Sequence, residues 1–318
     1  MKPFFHAILL LFALPALAAP ADSLREGPFT VTFHPSDRAA AEESLRYLVD
    51  AQKEFERFLP LGEEPVDVHI AHNEEEFQAF TGPYAHVGVN GVTIAERSAI
   101  ALKSPRLRSI ADDYRGTVRH ELVHVLLHRN TDTQKLPRWL NEGICMMLAN
   151  EIRWESNVPV SWMHLTGQII PLDELDRVFR HPEGDRDFGN AYAQALSMTR
   201  YLKDAAGEDR FWEMVRAMRS TTFEGALAGV AGMPLDTFWH GYTGSLWSLS
   251  LITTLRTGSF WGVLAALCIV VFGVRVIRNR RIIRRWEREG RDNEPEPFDW
   301  DRILEDAEAW KRGTDPNP

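Results

Sequence analysis

Cysteine is scarce in this sequence, with two residues in 318, Cys145 and Cys268. Cys145 falls in a predicted interior helix and Cys268 in an uninterrupted apolar run, so the two cannot pair with each other. The sequence therefore excludes a disulfide framework. With 44% apolar residues, a chain of this length can instead be held together by a sizeable buried core.

An excess of positive charge is also missing, because 36 Lys and Arg stand against 45 Asp and Glu, a formal net charge of −9. Domains that bind nucleic acid over a broad surface carry the opposite balance. We therefore expect no nucleic-acid partner. The sequence also lacks an internal repeat, which excludes the repeat architectures.

Two stretches almost lack charge, and the first is the N-terminal MKPFFHAILLLFALPALAAP. Lys2 precedes an apolar run from Phe4 to Leu17, and Ala16, Leu17 and Ala18 form a small-x-small cleavage site. The pattern predicts a signal peptide over residues 1–19. The alternative is an uncleaved N-terminal anchor.

The second stretch, TGSFWGVLAALCIVVFGV, contains no charged residue from Thr257 to Val274. It predicts a transmembrane helix over residues 257–277, because a hydrocarbon core requires about 20 apolar residues. Basic residues concentrate on the cytoplasmic side of a span, so we expect the chain after this helix in the cytoplasm and the chain before it outside. A buried core helix, the alternative, does not account for arginines at one end alone. The arginines are Arg275, Arg278, Arg280, Arg281, Arg284 and Arg285.

Between these stretches the pattern predicts an α+β fold. FTVTFHP, VDVHIAH and VTIAERSAIALK are typical of short strands, and Ser36 and Asn73 are placed to cap the helices that follow the first two. From about Arg108 the periodicity becomes helical, and Pro137 suits a helix first turn. Predicted helices cover residues 108–129, 137–152, 189–205, 208–219, 222–230 and 234–246.

The motif HELVH at residues 120–124 has the spacing of a zinc-binding helix. Side chains four apart project from one helix face, so His120 and His124 are placed to bind one ion, with Glu121 beside it as a general base. The alternative is a solvated polar strip. On a helical wheel these residues and His128 fall between two apolar faces. A buried polar group needs a partner, and this position therefore favours the metal site.

A catalytic zinc needs a third protein ligand and an open fourth position. His128 lies about 12 Å along the helix axis from His120, so both cannot bind one ion. Glu142, in KLPRWLNEGICMML, stands one turn into a second predicted helix that can pack beside the first. The alternative for Glu142 is a first-turn glutamate that the helix dipole favours.

HELVH, followed after seventeen residues by the glutamate of WLNEG, resembles the gluzincin metallopeptidases, in particular the peptidase MA-like group related to aminopeptidases and thermolysin. The resemblance covers about residues 30–246, although its diagnostic motifs occupy 120–143. It implies a mainly helical, thermolysin-like catalytic part with one Zn2+ ion held by His120, His124 and Glu142. It also implies Glu121 as the catalytic base in the hydrolysis of peptide bonds by a zinc-activated water.

Members of this family often stabilise the oxyanion of the reaction with a tyrosine or histidine from a later helix. GNAYAQALSMTRYL offers Tyr192 for this catalytic role, with Tyr201 and His240 as further candidates. Ordinary helix packing accounts for Tyr192 equally well from the sequence.

One departure from the family concerns the substrate. Aminopeptidases of this clan carry a Gly-x-Met-Glu-Asn segment that holds the free amine, and no such segment precedes His120. GVNGVTIAER contains Glu96 without that motif. The predicted strand from Val92 to Leu102 is instead suited to pair with an extended substrate as an edge strand, which favours an endopeptidase.

These predictions divide the chain into a signal peptide (1–19), an extracytoplasmic peptidase MA-like domain (20–250), a transmembrane helix (257–277) and a cytoplasmic part (278–318). The cytoplasmic part has a basic flank and an acidic, largely disordered tail, in which DWDRILEDAEAWKRG can form a short amphipathic helix. The predicted function is that of a single-pass protein of the cell membrane that cleaves envelope or secreted proteins on the periplasmic side, with the lipid bilayer and a peptide or protein substrate as partners. The alternative is a catalytically inactive scaffold, or a binding or sensor domain of the envelope.

Overall fold

The computed structural model describes residues 21–82, 89–109, 112–150, 157–180, 185–292 and 299–313. The predicted signal peptide lies outside the described residues. The chain divides into two compact units, one ending at Thr253 and the other beginning at Thr254.

The N-terminal unit opens with a five-stranded sheet in the order β1-β2-β3-β5-β4. The three central strands are parallel, and the strands at both edges pair antiparallel with their neighbours. In β2 the alternate residues Phe29, Val31 and Phe33 are buried, because successive side chains point to opposite faces of a sheet. The strands are β1 (Asp22–Glu26), β2 (Phe29–Phe33), β3 (Val66–Ala71), β4 (Gly91–Ile94) and β5 (Ala99–Lys103).

The remainder of this unit is mainly helical, which confirms the predicted α+β architecture. Helix α3 packs against α1, β4 and α4, and α4 packs in turn on α7. This layering places the HELVH helix between the edge of the sheet and the helical part. The helices are α1 (Arg38–Phe55), α2 (Glu74–Thr81), α3 (Tyr114–Asn130), α4 (Arg138–Ala149), α5 (Asn157–Leu165), α6 (Leu172–Arg180), α7 (Asp185–Ala206), α8 (Glu208–Ala217), α9 (Phe223–Gly229) and α10 (Leu235–Arg256).

The structure corrects several predicted element bounds. The helix predicted from residue 108 begins at Tyr114, because Asp113 caps it by accepting a hydrogen bond from the Gly116 N–H. The helix predicted for 234–246 continues to Arg256. Strand β1 and helices α5 and α6 were not predicted. Strand β1 is mostly exposed on both faces, so its sequence carries no alternation of apolar and polar residues.

In the second unit, α11 (Ser259–Asp292) contains a segment, Trp261–Trp286, that is long and apolar enough to cross a membrane by length and composition. This supports single-pass anchoring through the predicted span. The predicted linker after the arginines is helical as far as Asp292, and residues 293–298 lie outside the described part. The predicted terminal amphipathic helix is present as α12 (Trp300–Lys311), with Asp299 as its cap.

Candidate metal centre

Helix α3 presents His120, Glu121 and His124 to a cleft and buries its apolar faces. Val118 and Leu122 are fully buried, whereas His120 and His124 are partly exposed and line the cleft. Their ring centroids are 4.9 Å apart, as expected for side chains one helical turn apart. Glu121 lines the same cleft and is 7% exposed.

Helix α4 brings Glu142 to these two histidines. Its Oε2 lies 3.6 Å from Nε2 of His120 and 3.7 Å from Nε2 of His124. Burial opposes ionisation of Glu142, but a hydrogen bond with His120 and the nearby charges of His124, His120 and Arg138 outweigh it and lower its pKa to about 2. The carboxylate is therefore ionised at neutral pH.

The spacing of these three atoms fits a metal ion. Zinc ligands at about 2.1 Å in a tetrahedral arrangement lie about 3.4 Å from one another, within a few tenths of an ångström of the two observed distances. The donors are two imidazoles and a carboxylate, which is a ligand set of catalytic zinc sites. His128, the third histidine of the wedge, does not line the cleft.

Asn141 determines which nitrogen of His124 faces the cleft. Its Oδ1 lies 2.8 Å from Nδ1 of His124, and a carbonyl oxygen can only accept a hydrogen bond. Nδ1 therefore carries the proton, and the Nε2 lone pair is left for a metal.

Cys145 also approaches His124, with its Sγ 3.3 Å from Nδ1. His120, His124 and Cys145 together form a group of potential ligand atoms. Two facts favour Glu142 over Cys145 as the third ligand. The thiol is fully buried and does not line the cleft, and it approaches the ring nitrogen that Asn141 already engages.

Strand β4 positions the side chain of Glu121 through a contact that does not involve α4. The hydroxyl of Thr93 donates a hydrogen bond of 2.7 Å to Oε2 of Glu121. Gly91 leaves the room this carboxylate needs, since a Cβ there would lie 2.8 Å from Cγ of Glu121. The sequence placed these two residues in or beside a strand but gave no sign of their role.

Tyr192 of α7 lies in the cleft and packs against two phenylalanines. Its ring centroid is 5.1 Å from that of Phe179 and 4.7 Å from that of Phe188. Burial, and then the negative charge of Glu142, raises the pKa of Tyr192 well above its usual value. Tyr192 is therefore a protonated donor beside the three candidate ligands.

The two further candidates for the oxyanion donor are elsewhere. Tyr201 packs against Phe238 and Tyr242, and Nδ1 of His240 bonds the Asp236 carbonyl at 2.7 Å. Neither residue lines the cleft.

Two contacts fix the helix that carries Glu142. Helix α4 begins after Pro137 without a side-chain cap of its own. Asp176 of α6 instead accepts hydrogen bonds from the backbone N–H groups of Arg138 and Trp139, at 3.4 and 3.2 Å. Gly143 lets α4 approach α7 closely, since a Cβ there would lie 2.7 Å from the Ala195 carbonyl oxygen.

A second polar cluster lies where β2, β3 and β5 end. His34, Asp37 and His72 are spaced like metal ligands, but the Arg106 guanidinium contacts both Asp37 and His72. Asp37 also accepts a hydrogen bond of 2.7 Å from Ser104. Burial disfavours its charge, but the hydrogen bonds and the Arg106 charge outweigh it and lower the pKa of Asp37. Because a guanidinium already neutralises the carboxylate, we interpret this cluster as a structural ion-pair network.

The cleft that holds the candidate metal centre has a volume of about 610 Å³. Besides the candidate ligands and base, it is lined by residues of β4, α4, α6 and α7, and by Val89 and Thr133. Arg138 and Arg180 add positive charge to its wall, and Phe179 and Phe188 add apolar surface.

Comparison with known proteins identifies the family of this chain. The family model of the Peptidase MA superfamily matches residues 61–246. A relative in Bacillus subtilis (strain 168), "Uncharacterized protein YhcO", is 24% identical over 213 residues, which are 62% of this chain and 62% of the relative. The chain thus spans less than two thirds of that relative's length. The family match extends over more than half of the chain and includes every residue that lines the cleft, and this protein therefore belongs to the Peptidase MA superfamily.

Proposed function

We propose that this protein is a zinc-dependent endopeptidase. The observation that carries the proposal is the convergence of His120, His124 and Glu142 in one cleft, with Glu121 beside them. Members of this superfamily are typically metal-dependent. Zinc fits the donor set, since imidazole and carboxylate ligands with an open position are those of zinc hydrolases.

A bound zinc ion would polarise the scissile carbonyl and lower the pKa of water to about 7. Glu121 accepts the proton of the attacking water and then delivers it to the leaving amine. The hydrogen bond from Thr93 to Oε2 holds this carboxylate in one orientation while it exchanges the proton.

Tyr192 acts as the oxyanion donor in this proposal. A donor that stabilises developing negative charge must keep its proton at neutral pH, and the raised pKa of Tyr192 satisfies this requirement.

The edge of the sheet supports an endopeptidase. The predicted strand Val92–Leu102 forms two strands, and the first of them, β4, lies at the sheet edge. Val92 and Thr93 of this edge strand line the cleft. An extended peptide can add to such an edge by main-chain hydrogen bonds, and this mode of binding requires no free terminus on the substrate.

The location also belongs to the proposal. The charge-free run from Thr257 to Val274 is followed by six arginines between Arg275 and Arg285, and such an asymmetry supports a cytoplasmic location for the chain after it. The cleft would then lie outside the cytoplasm, where the substrates are envelope or secreted proteins or peptides.

A peptide-library experiment with the full chain in detergent micelles tests this function. Wild type loaded with zinc should cut peptides at internal bonds whether or not their amino termini are acetylated. Glu121→Gln, which keeps the ligands, should cut none of them. Removal of single terminal residues would contradict the endopeptidase. Bound zinc without any Glu121-dependent cleavage would favour the inactive scaffold.

A further inference from the structure

Helices α5 and α10 expose a set of large apolar side chains on the N-terminal unit. Trp162 is 65% exposed and Trp247 is 69% exposed. His164 joins the two helices, because its ring contacts that of Trp247 edge to face at 4.9 Å between centroids. We call this set the α5–α10 surface. It consists of Val158, Trp162, Leu165, Trp247, Leu251 and Ile252.

The exposed face of α10 is separate from the face that holds the helix in place. Phe238, Tyr242 and Leu246 are buried at four-residue intervals. Trp247 and Leu251 form a second four-residue stripe that faces outward. A helix that is apolar on all sides belongs in a protein core or in lipid, and within the described part of the chain the second stripe of α10 packs against no core.

Charge is missing from both helices where they form this surface. Helix α5 (Asn157–Leu165) contains no Asp, Glu, Lys or Arg, and neither do the nineteen residues from Thr237 to Leu255. Water-exposed helix faces usually carry charged and polar residues. The composition therefore points to an environment other than water.

The position of α10 in the chain, directly before the helix with the candidate membrane span, indicates that this environment is the membrane surface. Helix α10 ends at Arg256 and α11 begins at Ser259, so two residues separate α10 from the helix with the candidate membrane span. Leu251 precedes the first residue of that span, Trp261, by ten residues. Tryptophans are enriched where a protein meets the boundary between headgroups and acyl chains.

We propose that the α5–α10 surface docks onto the outer leaflet of the bilayer, so that the N-terminal unit rests on the membrane in addition to being anchored by the span. Trp162 and Trp247 lie at the headgroup boundary and Leu165 and Leu251 beside them, as in interfacial helices. This surface contains none of the candidate ligands, so the inference does not depend on zinc or on peptide hydrolysis.

Depth-dependent fluorescence quenching tests the proposal. The full chain is placed in nanodiscs that hold one copy each, made of phosphatidylethanolamine and phosphatidylglycerol with brominated acyl chains. Replacing both Trp162 and Trp247 by Phe keeps the surface apolar and removes its two fluorophores. The share of tryptophan emission quenched by bromine should fall in this double variant, and bromine near the headgroups should give a larger difference than bromine near the chain ends.

Two single variants control the measurement. Trp212→Phe removes a tryptophan that is 2% exposed and should not lower the quenched share. Trp261 lies in the candidate span, so Trp261→Phe should lower the quenched share. This control distinguishes a span that does not enter the bilayer from a surface that does not dock onto it. A quenched share that is unchanged or higher in the double variant would overturn the proposal. Pairing of the surface with a second copy would give the same result, but such pairing cannot occur in a nanodisc that holds one copy.

Discussion

Asn141 contacts no substrate in the proposed mechanism, yet it determines which ring nitrogen of His124 carries the proton. Its Oδ1 bonds Nδ1 of His124 at 2.8 Å. Outer hydrogen bonds of this kind change metal affinity by about 10- to 100-fold. We therefore predict that Asn141→Ala weakens zinc binding by that factor, measured by competition with a chromophoric chelator. Asn190→Ala, on a side chain outside the cleft, should leave the affinity unchanged, and equal affinities for both variants would contradict the assigned role.

Tyr192 has two conceivable tasks that one substitution can separate. Burial and the nearby negative charge of Glu142 keep its hydroxyl protonated at neutral pH. If it serves the oxyanion, Tyr192→Phe should lower kcat by about 100-fold or more and change zinc affinity little, since tyrosine is not a ligand here. A loss of zinc affinity with kcat retained at saturating zinc would instead make Tyr192 a positioning residue for Glu142. Tyr201→Phe, outside the cleft, is the control.

The local part of the site could be predicted from the sequence, and the long-range part could not. His120, Glu121 and His124 follow from helical spacing alone, because one helix fixes their relative positions. Thr93 reaches Glu121 from a strand 28 residues earlier, and Asp176 caps α4 from 37 residues later. Such contacts depend on how elements pack, which no local pattern encodes.

At the scale of elements, the close approach of α4 to α7 brings Glu142 and Tyr192 together. A Cβ on Gly143 would lie 2.0 Å from Oγ1 of Thr199 and 2.7 Å from the Ala195 carbonyl oxygen. Gly143→Ala should therefore force the helices apart, lower the free energy of unfolding by about 1–3 kcal/mol and weaken zinc binding. Denaturant unfolding and zinc titration measure the two effects.

Gly189 of α7 is the matched control, because a Cβ there would meet nothing within 4 Å. Gly189→Ala should leave stability unchanged or raise it by up to about 1 kcal/mol. A Gly143→Ala variant as stable as Gly189→Ala would show that the two helices are not in tight contact.

The network around Asp37 ties the start of α1 to the ends of β3 and β5. Hydrogen bonds from His72 and Ser104 and the charge of Arg106 lower the pKa of Asp37 below its unfolded value of 3.8 despite burial. A lowered folded pKa stabilises the protein above pH 3.8, and the contribution is lost as pH falls through the folded pKa. Asp37→Asn should cost about 1–3 kcal/mol at pH 7.

The cost of Asp37→Asn should shrink as pH falls below 3.8 toward the folded pKa, since the unfolded wild-type protein then takes up a proton that the folded carboxylate does not. Chemical denaturation of both proteins at pH 7 and at pH 3 measures the difference. Asp173→Asn, on an exposed residue, serves as control. A cost for Asp37→Asn that does not change with pH would contradict the ion-pair interpretation.

Element types were predicted from the sequence more successfully than element ends. Asn73 caps α2 as predicted, by accepting a hydrogen bond from the Glu76 N–H. Ser36 does not cap α1, because Pro35–Asp37 form a separate 3-10 turn. The difference arises from a turn that competes with the simple capping pattern.

At the scale of the whole molecule, a Peptidase MA domain is joined in one chain to a helix able to cross a membrane. A cleft with an edge strand on one wall suits extended protein segments, and a membrane anchor would confine the enzyme to substrates near the bilayer. These two features connect the proposed chemistry with the proposed location.

In the proposed function, His120, His124 and Glu142 hold one zinc ion and Glu121 makes it hydrolytic. Zinc titration into the metal-free full chain, with peptide hydrolysis followed at each addition, tests both roles together. Hydrolysis should rise to a plateau at about one zinc per chain for wild type, and Glu121→Gln should bind zinc equally without hydrolysis. Equal hydrolysis by both proteins, or no zinc bound by wild type, would contradict the account.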